Sequence, residues 1–244
     1  MVTKARLKLI KSLARKKNRA EFSLFVVEGY KSILELVEAG LDHEEILVSE
    51  GADKLNALNP SIISVKDMKS LSNVTTPPGY LAIFKIPEKQ PLPDSGPIIA
   101  LDDIQDPGNL GTIIRLADWY GIKHILCSAE TVDAYNPKTV QASMASIARV
   151  QIHYIDLEKF LSKTDLPLYP TAMEGTSIYQ TELDQNGILI MGSESHGVKK
   201  ELLDLAPAVC IPPHSQSSIT ESLNVAIATS IIVAEWMRPN FIGT

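Results

Sequence analysis

From Ile98 onward, short apolar runs alternate with amphipathic stretches, and this alternation constrains the fold more than any other feature of the chain. "IIALDDI", "HILCS", "VQIHYI", "PLYPTAM", "GILIMG" and "AVCI" read as strands. Between and after them, "LGTIIRLADWYG", "PKTVQASMASIA", "DLEKFLSK", "KKELLDLA" and "SLNVAIATSIIVAEWMR" read as helices, with Pro137 at a first helical position. Apolar strands joined by helices imply an α/β fold with a mostly parallel sheet covered on both faces. Ligands of such sheets bind in the crevice outside the carboxyl ends of the strands.

The first part of the chain has a different rhythm. Leu7, Ile10, Leu13 and Ala14 recur at helical spacing among basic residues, which reads as one amphipathic helix ending near Lys17. "LFVVEG", "EILVS", "SIISV" and "YLAIFKI" read as strands, and "YKSILELVEAG" as a helix stopped by Gly40. This is a small α/β layer domain. "PEKQPLPDSGP" follows, with four prolines in eleven residues, a stiff connector. The expected organisation is therefore residues 1–90, a linker at 91–97, and a second domain at 98–244.

Charge is divided unevenly. Residues 1–20 carry eight basic and no acidic side chains, so a net charge of −6 leaves −14 on the rest. A basic end on an acidic body can meet a polyanion by one surface only. Lys4, Lys8, Lys11, Arg15, Lys16, Lys17 and Arg19 are the candidate contacts to RNA or DNA. Cys127 and Cys210 each sit in an apolar run, so no disulfide framework is expected and a cytoplasmic location fits. No apolar run reaches a membrane span, no signal peptide is expected, and the five histidines lack metal-ligand spacing.

"ILIMGSESHGVKK" (188–200) resembles a phosphate loop, but its register is wrong. A phosphate loop places lysine directly after its last glycine and a hydroxyl residue next. Here Val198 follows Gly197, and Lys199 and Lys200 come after it. A slip of one residue at a helix start turns a side chain by about 100°. The stretch is better read as a polar strand-to-helix turn whose glycines permit unusual backbone. Two further polar stretches sit at strand ends. In "DDIQDPGNLGTIIR", Asn109 and Arg115 flank a helix start. In "IPPHSQSSITESLNV", Ser222 reads as the cap of the last helix and Asn224 as a polar residue in its apolar face.

"NLGTIIR" (109–115), "GSESHG" (192–197) and "IP…SLNV" (211–212, 222–225) together resemble the three signature motifs of the SpoU (TrmH-like) RNA ribose 2′-O-methyltransferases, in the family's order and spacing. "FVVEGYKSILELVEAG" and "TTPPGYLAIFKIP" resemble the ribosomal-protein-like RNA-binding domain often attached to them. The resemblance implies a SPOUT fold with a C-terminal trefoil knot, S-adenosyl-L-methionine as cofactor, a homodimer, and rRNA or tRNA as substrate. By matching position it implies Asn109, Arg115, Glu194, Ser222 and Asn224 at the reaction centre. It implies Thr171, Ala172, Met173, Gly192, Ser193, Gly197, Ile211, Pro212, Ser222 and Leu223 around the cofactor. A guanidinium stays protonated in proteins, so Arg115 is better suited to clamping RNA phosphate and a developing alkoxide than to acting as base. Glu194 is the more ordinary proton acceptor.

The chain also departs from the family. Gln141 stands where arginine is usual, Ala145 where glycine is usual, and Ser195-His196 where glycine commonly follows the glutamate. The 213–221 stretch, with Ser215, Gln216, Ser217 and Ser218, is longer than the family loop. The competing function is a non-catalytic RNA-binding or assembly protein on the same fold.

Overall fold

The computed structural model describes residues 2–214 and 222–241. The chain divides into two compact units, Met1–Glu88 with Asp133–Arg149, and Lys89–Val132 with Val150–Thr244.

The first unit opens with two helices rather than the single one read from the sequence: α1 (Lys4–Ser12) and α2 (Lys16–Phe22). The break has a local cause. Leu13, Ala14 and Arg15 bond back to Ile10, Lys11 and Ser12 in a tight final turn, and Arg15 then turns extended as the cap of α2. Leu13 sits in the core at the break, together with Ile10. There follow β1 (Leu24–Glu28), α3 (Tyr30–Glu38), β2 (His43–Ser49), β3 (Ser61–Ile63), α4 (Val65–Leu71) and β4 (Tyr80–Lys85). The sheet order is β1-β4-β2-β3, with only the β2–β3 pair parallel among the described residues.

Helix α4 was not expected, because "SIISV" read as a strand through Val65. Ser64 ends that strand instead. Its hydroxyl accepts from the Asp67 N–H and donates to the Asp67 carboxylate, a reciprocal cap that starts the helix. Strand residues alternate faces. Leu24 and Val26 join Ile10 and Leu13 in one core, while Phe25 meets Tyr135 at 4.9 Å between ring centroids. Tyr135 belongs to residues 133–149, which carry α6 (Pro137–Ser143) and a 3₁₀ turn (Met144–Ala148) and pack on this sheet.

Arg19 is corrected as an RNA contact. It is 2% exposed and bonds to Asp133 and to the carbonyls of Leu13 and Ala14. Lys4, Lys8, Lys11, Arg15, Lys16 and Lys17 stay exposed.

The second unit contains β5 (Ile98–Asp102), α5 (Pro107–Trp119), β6 (His124–Cys127), β7 (Gln151–Tyr154), α7 (Leu157–Leu161), β8 (Leu168–Ser177), β9 (Ile188–Gly192), α8 (Lys200–Leu203), β10 (Val209–Cys210) and α9 (Val225–Met237). Among the described residues all five pairings in its sheet are parallel, in the order β10-β8-β9-β5-β6-β7. Strands β5 and β9 are buried along their whole length, as neighbours at the centre of a covered parallel sheet should be. The order reverses between β5 and β9, where Asp102 pairs with Gly192. Strand β8 changes neighbours along its length. Leu168–Pro170 pairs with β9, and Thr176 and Ser177 pair with β10. Residues 171–175 lie between these two pairings, beside the end of β9.

Among the described residues, no helix is long and apolar enough to cross a membrane.

Candidate active site

The middle of β8 and the C-terminal end of β9 form the floor of a cavity of about 740 Å³. Its position follows from the divided pairing of β8. Thr171, Ala172 and Met173 line one wall, and the hydroxyl of Thr171 donates to the Ile190 carbonyl at 2.9 Å. Gly192, Ser193, Glu194 and Gly197 form a second wall, and Ile211, Pro212, Ser222 and Leu223 a third. Val209, Leu203 and Ile232 add apolar surface. All ten residues expected around a cofactor therefore line one cavity. The intervening residues 215–221, including Ser215, Gln216, Ser217 and Ser218, lie outside the described residues.

The 192–198 turn is closed on itself. The Ser193 and Gly197 amides donate to each other's carbonyls at 3.2 and 2.9 Å, and the His196 N–H donates to the Ser193 hydroxyl. A Cβ on Gly192 would stand 2.0 Å from the backbone of Gly197 and Val198. No side chain fits there. Gly197 has a φ of +68° with open space around it, so it serves the turn by its backbone angle rather than by its size.

At the tip of the turn, Glu194 accepts from the side-chain amide of Asn109. The carbonyl oxygen of that amide accepts from Asn224 Nδ2 at 3.0 Å. Asn224 Oδ1 in turn accepts from the Ala226 and Ile227 N–H groups at 3.0 and 3.3 Å. Asn224, not Ser222, is thus the N-cap of α9, and the helix starts at Val225. The sequence pattern places Asn224 as a polar residue in the helix's apolar face, and the structure places it before the helix. Its backbone is not helical, and its amide satisfies the helix's first donors, which leaves its NH₂ group for Asn109. Asn109 is placed by a second cap. Asp106, the N-cap of α5, accepts from the Asn109 N–H at 2.8 Å.

Arg115 is not drawn into this cluster. It lies six residues beyond Asn109 on α5, roughly 9 Å along the axis at 1.5 Å per residue. It is exposed, and it has no hydrogen bond or ion pair among the described residues. Ser222 lines the cavity without joining the Asn109–Glu194 line. His196 and His214 also line the cavity and are exposed. Among the described residues no cluster of His, Cys, Asp or Glu could hold a metal ion.

Sequence reasoning missed Asp102 and Lys199. The Lys199 N–H donates to Asp102 Oδ2 at 2.9 Å, and its ammonium lies 3.3 Å from Oδ1. Burial opposes the Lys199 charge, but the hydrogen bond and charge of Asp102, with the charge of Glu130, outweigh it and raise the lysine's pKa. The available signal was a carboxylate closing a run of four apolar residues.

Residues 96–234 match the SpoU rRNA Methylase family, and residues 4–82 match the MRM3-like substrate binding domain. The chain is 30% identical to the 23S rRNA (guanosine(2553)-2′-O)-methyltransferase RlmP of Bacillus subtilis, over 91% of this chain and 92% of that protein. A TrmH-family structure from Porphyromonas gingivalis superposes with a TM-score of 0.86 at 32% identity, covering 98% of this chain and 99% of that one. The AdoMet-bound rRNA methyltransferase from Sinorhizobium meliloti gives 0.84 at 28%, covering 98% and 96%.

Substitutions at the two turn glycines should separate. Gly192→Ala must displace backbone and is expected to cost at least ~3 kcal/mol, whereas Gly197→Ala should cost only the ~1–2 kcal/mol of a left-handed L-residue. Urea denaturation of both variants measures this, and equal losses would remove the close-approach argument.

Proposed function

Because the chain belongs to the SpoU rRNA methylase family, we propose that it transfers a methyl group from S-adenosyl-L-methionine to a ribose 2′-hydroxyl of rRNA or tRNA. The observation that carries this reading is the Asn224–Asn109–Glu194 line at the glycine turn of the cavity. The residues fit the cofactor. The cavity lies within the range of about 300–1,000 Å³ usual for small-molecule sites. Apolar Val209 and Ile232 suit an adenine ring, and the Gly192–Gly197 backbone, with no side chain at Gly192, allows close approach. When bound, the cofactor supplies an electrophilic methyl group on a sulfonium.

The chain's own residues then do the rest. Methyl transfer is an in-line displacement, and aligning the two reactants is worth up to about 7–11 kcal/mol. Asn109 holds Glu194 from one side, so that the carboxylate's second oxygen can accept the ribose proton directly or through water. Arg115, exposed on α5, clamps an RNA phosphate and stabilises the alkoxide that develops as the proton leaves. Ser222 and Leu223 hold the cofactor's outer edge.

In this reading the C-terminal segment threads a trefoil knot. Support comes from the cavity, whose walls include the 192–197 turn before β10 and Ile211, Pro212, Ser222 and Leu223 after it. A crystal structure with an unthreaded path between Gly192 and Asn224 would remove that part. RNA is presented by residues 1–90, joined through 91–97 to residues 98–244, which carry the catalytic residues and of which 133–149 pack with the first unit, and the six exposed basic residues between Lys4 and Lys17 bind phosphates. The protein acts in the cytoplasm, which suits two free, buried cysteines; recovery in a membrane or organelle fraction would count against this.

The reading has three tests. Arg115→Lys should lower methyl transfer by ~100-fold or more, the loss typical of a transition-state donor, while cofactor affinity by calorimetry stays within about twofold; a parallel fall in both would refute the phosphate-clamp role. Deleting the N-terminus would remove the core residues Ile10 and Leu13, so charge substitution is the cleaner probe. Changing Lys4, Lys8, Lys11, Arg15, Lys16 and Lys17 to glutamine should reduce the salt slope of rRNA binding by up to ~0.7–0.9 for each phosphate no longer neutralised; an unchanged slope excludes this face. The second unit also exposes Trp119 at 84%, Ile227 at 54% and Phe241 at 62%, apolar side chains that a homodimer would cover. Light scattering should give twice the chain mass, falling to one in Ile227→Asp; a wild-type monomer would end the dimer proposal.

A further inference from the structure

Asp102 ends β5 at the point where the sheet order reverses, and its Cα partner is Gly192, the last residue of β9. Its side chain is 2% exposed. A carboxylate so buried is costly unless its oxygens are paired. Here each oxygen has its own donor, and both donors come from one residue. Oδ2 takes the Lys199 N–H, and Oδ1 faces the Lys199 ammonium, which also lies 3.6 Å from Glu130.

The consequence is topological. The turn that carries Glu194 leaves the sheet at Gly192, beside Asp102 in the ladder, and rejoins the body at Lys199, held by the Asp102 side chain. One residue grips both ends of the loop. Between those ends the chain is closed by the Ser193–Gly197 pair and packed against Gly192 without room for a methyl group. Any shift at Lys199 must therefore pass to Ser193, Glu194 and Gly197. Asp102 and Lys199 do not line the cavity. They border a separate crevice of about 470 Å³ with Ser128, Glu130 and Tyr154.

We infer that Asp102 is a positioning residue for methyl transfer: it clamps the Gly192–Lys199 turn at both ends and so sets where the turn backbone meets the cofactor and where Glu194 meets Asn109. This rests on the assignment of that turn to the cofactor and of Glu194 to the reaction.

Asp102→Asn is the informative variant. A carboxylate accepts on both oxygens, whereas an amide has one acceptor and one donor group. Whichever way Asn is oriented, its NH₂ group must face a Lys199 donor, so one of the two bonds breaks with little change in shape. Hydrogen exchange of the protein without cofactor reads the clamp directly. Losing a charge-assisted bond should reduce protection of the Ser193, Gly197 and Lys199 amides by ~10-fold or more, with Ile99 and Leu126 in the central ladder within about twofold. S-adenosyl-L-methionine affinity by calorimetry should fall by ~10-fold over the same substitution. Lys199→Met, which keeps the backbone N–H bond, should show the same pattern more weakly.

Uniform loss of protection across turn and sheet would reduce Asp102 to a general stabiliser, and full protection of the turn would overturn the clamp. Loss confined to the turn with unchanged cofactor affinity would leave the clamp standing and overturn the assignment of the turn to the cofactor.

Discussion

The site depends on a line of hydrogen bonds that starts at a helix end. The first N–H groups of α9 have no partner within the helix, and Asn224 accepts from two of them. Satisfying the helix uses the oxygen of that amide and leaves its NH₂ group pointing outward. Asn109 accepts it and passes its own NH₂ group to Glu194. Each amide can bond in only one sense along this line, because reversing either would set donor against donor or acceptor against acceptor. The positive end of α9 thereby fixes the orientation of a carboxylate borne on a different loop. Residues 109, 194 and 224 have to be where they are for the same reason.

The sheet supplies the rest of the geometry. Reversal of strand order between β5 and β9 puts Asp102 beside Gly192. Where β8 changes partner, Thr171, Ala172 and Met173 line the cavity. In the proposed reading, a substrate arriving at the Glu194 side meets α5 with Arg115 exposed upon it. Basic side chains concentrate in the first 20 residues, while the remainder of the chain carries a net charge of −14.

Much of this was legible in the sequence, and the reasons are physical. Strands β5 and β9 are buried on both faces, so they read as unbroken apolar runs. Glycine turns and Asn or Ser near helix starts are local chemistry, and they marked the three loops that meet. Ser222 and Asn224 are both good caps two residues apart, and only the tertiary bond to Asn109 selects Asn224. "SIISV" has strand composition, yet the Ser64–Asp67 cap starts α4 inside it. Arg19 looked like its basic neighbours because its partner, Asp133, lies 114 residues away. The packing of residues 133–149 on the first sheet left no periodic signal, and neither did the grip of Asp102 on Lys199. Both join residues distant in sequence, through interactions that do not repeat.

The central claim is ribose methylation by this site, and mapping of 2′-O-methyl groups in rRNA and tRNA tests it most directly. RNA from cells lacking the protein should lack a ribose methyl group that the intact gene restores and a Glu194→Gln gene does not. An unchanged map, or full restoration by Glu194→Gln, would contradict the account.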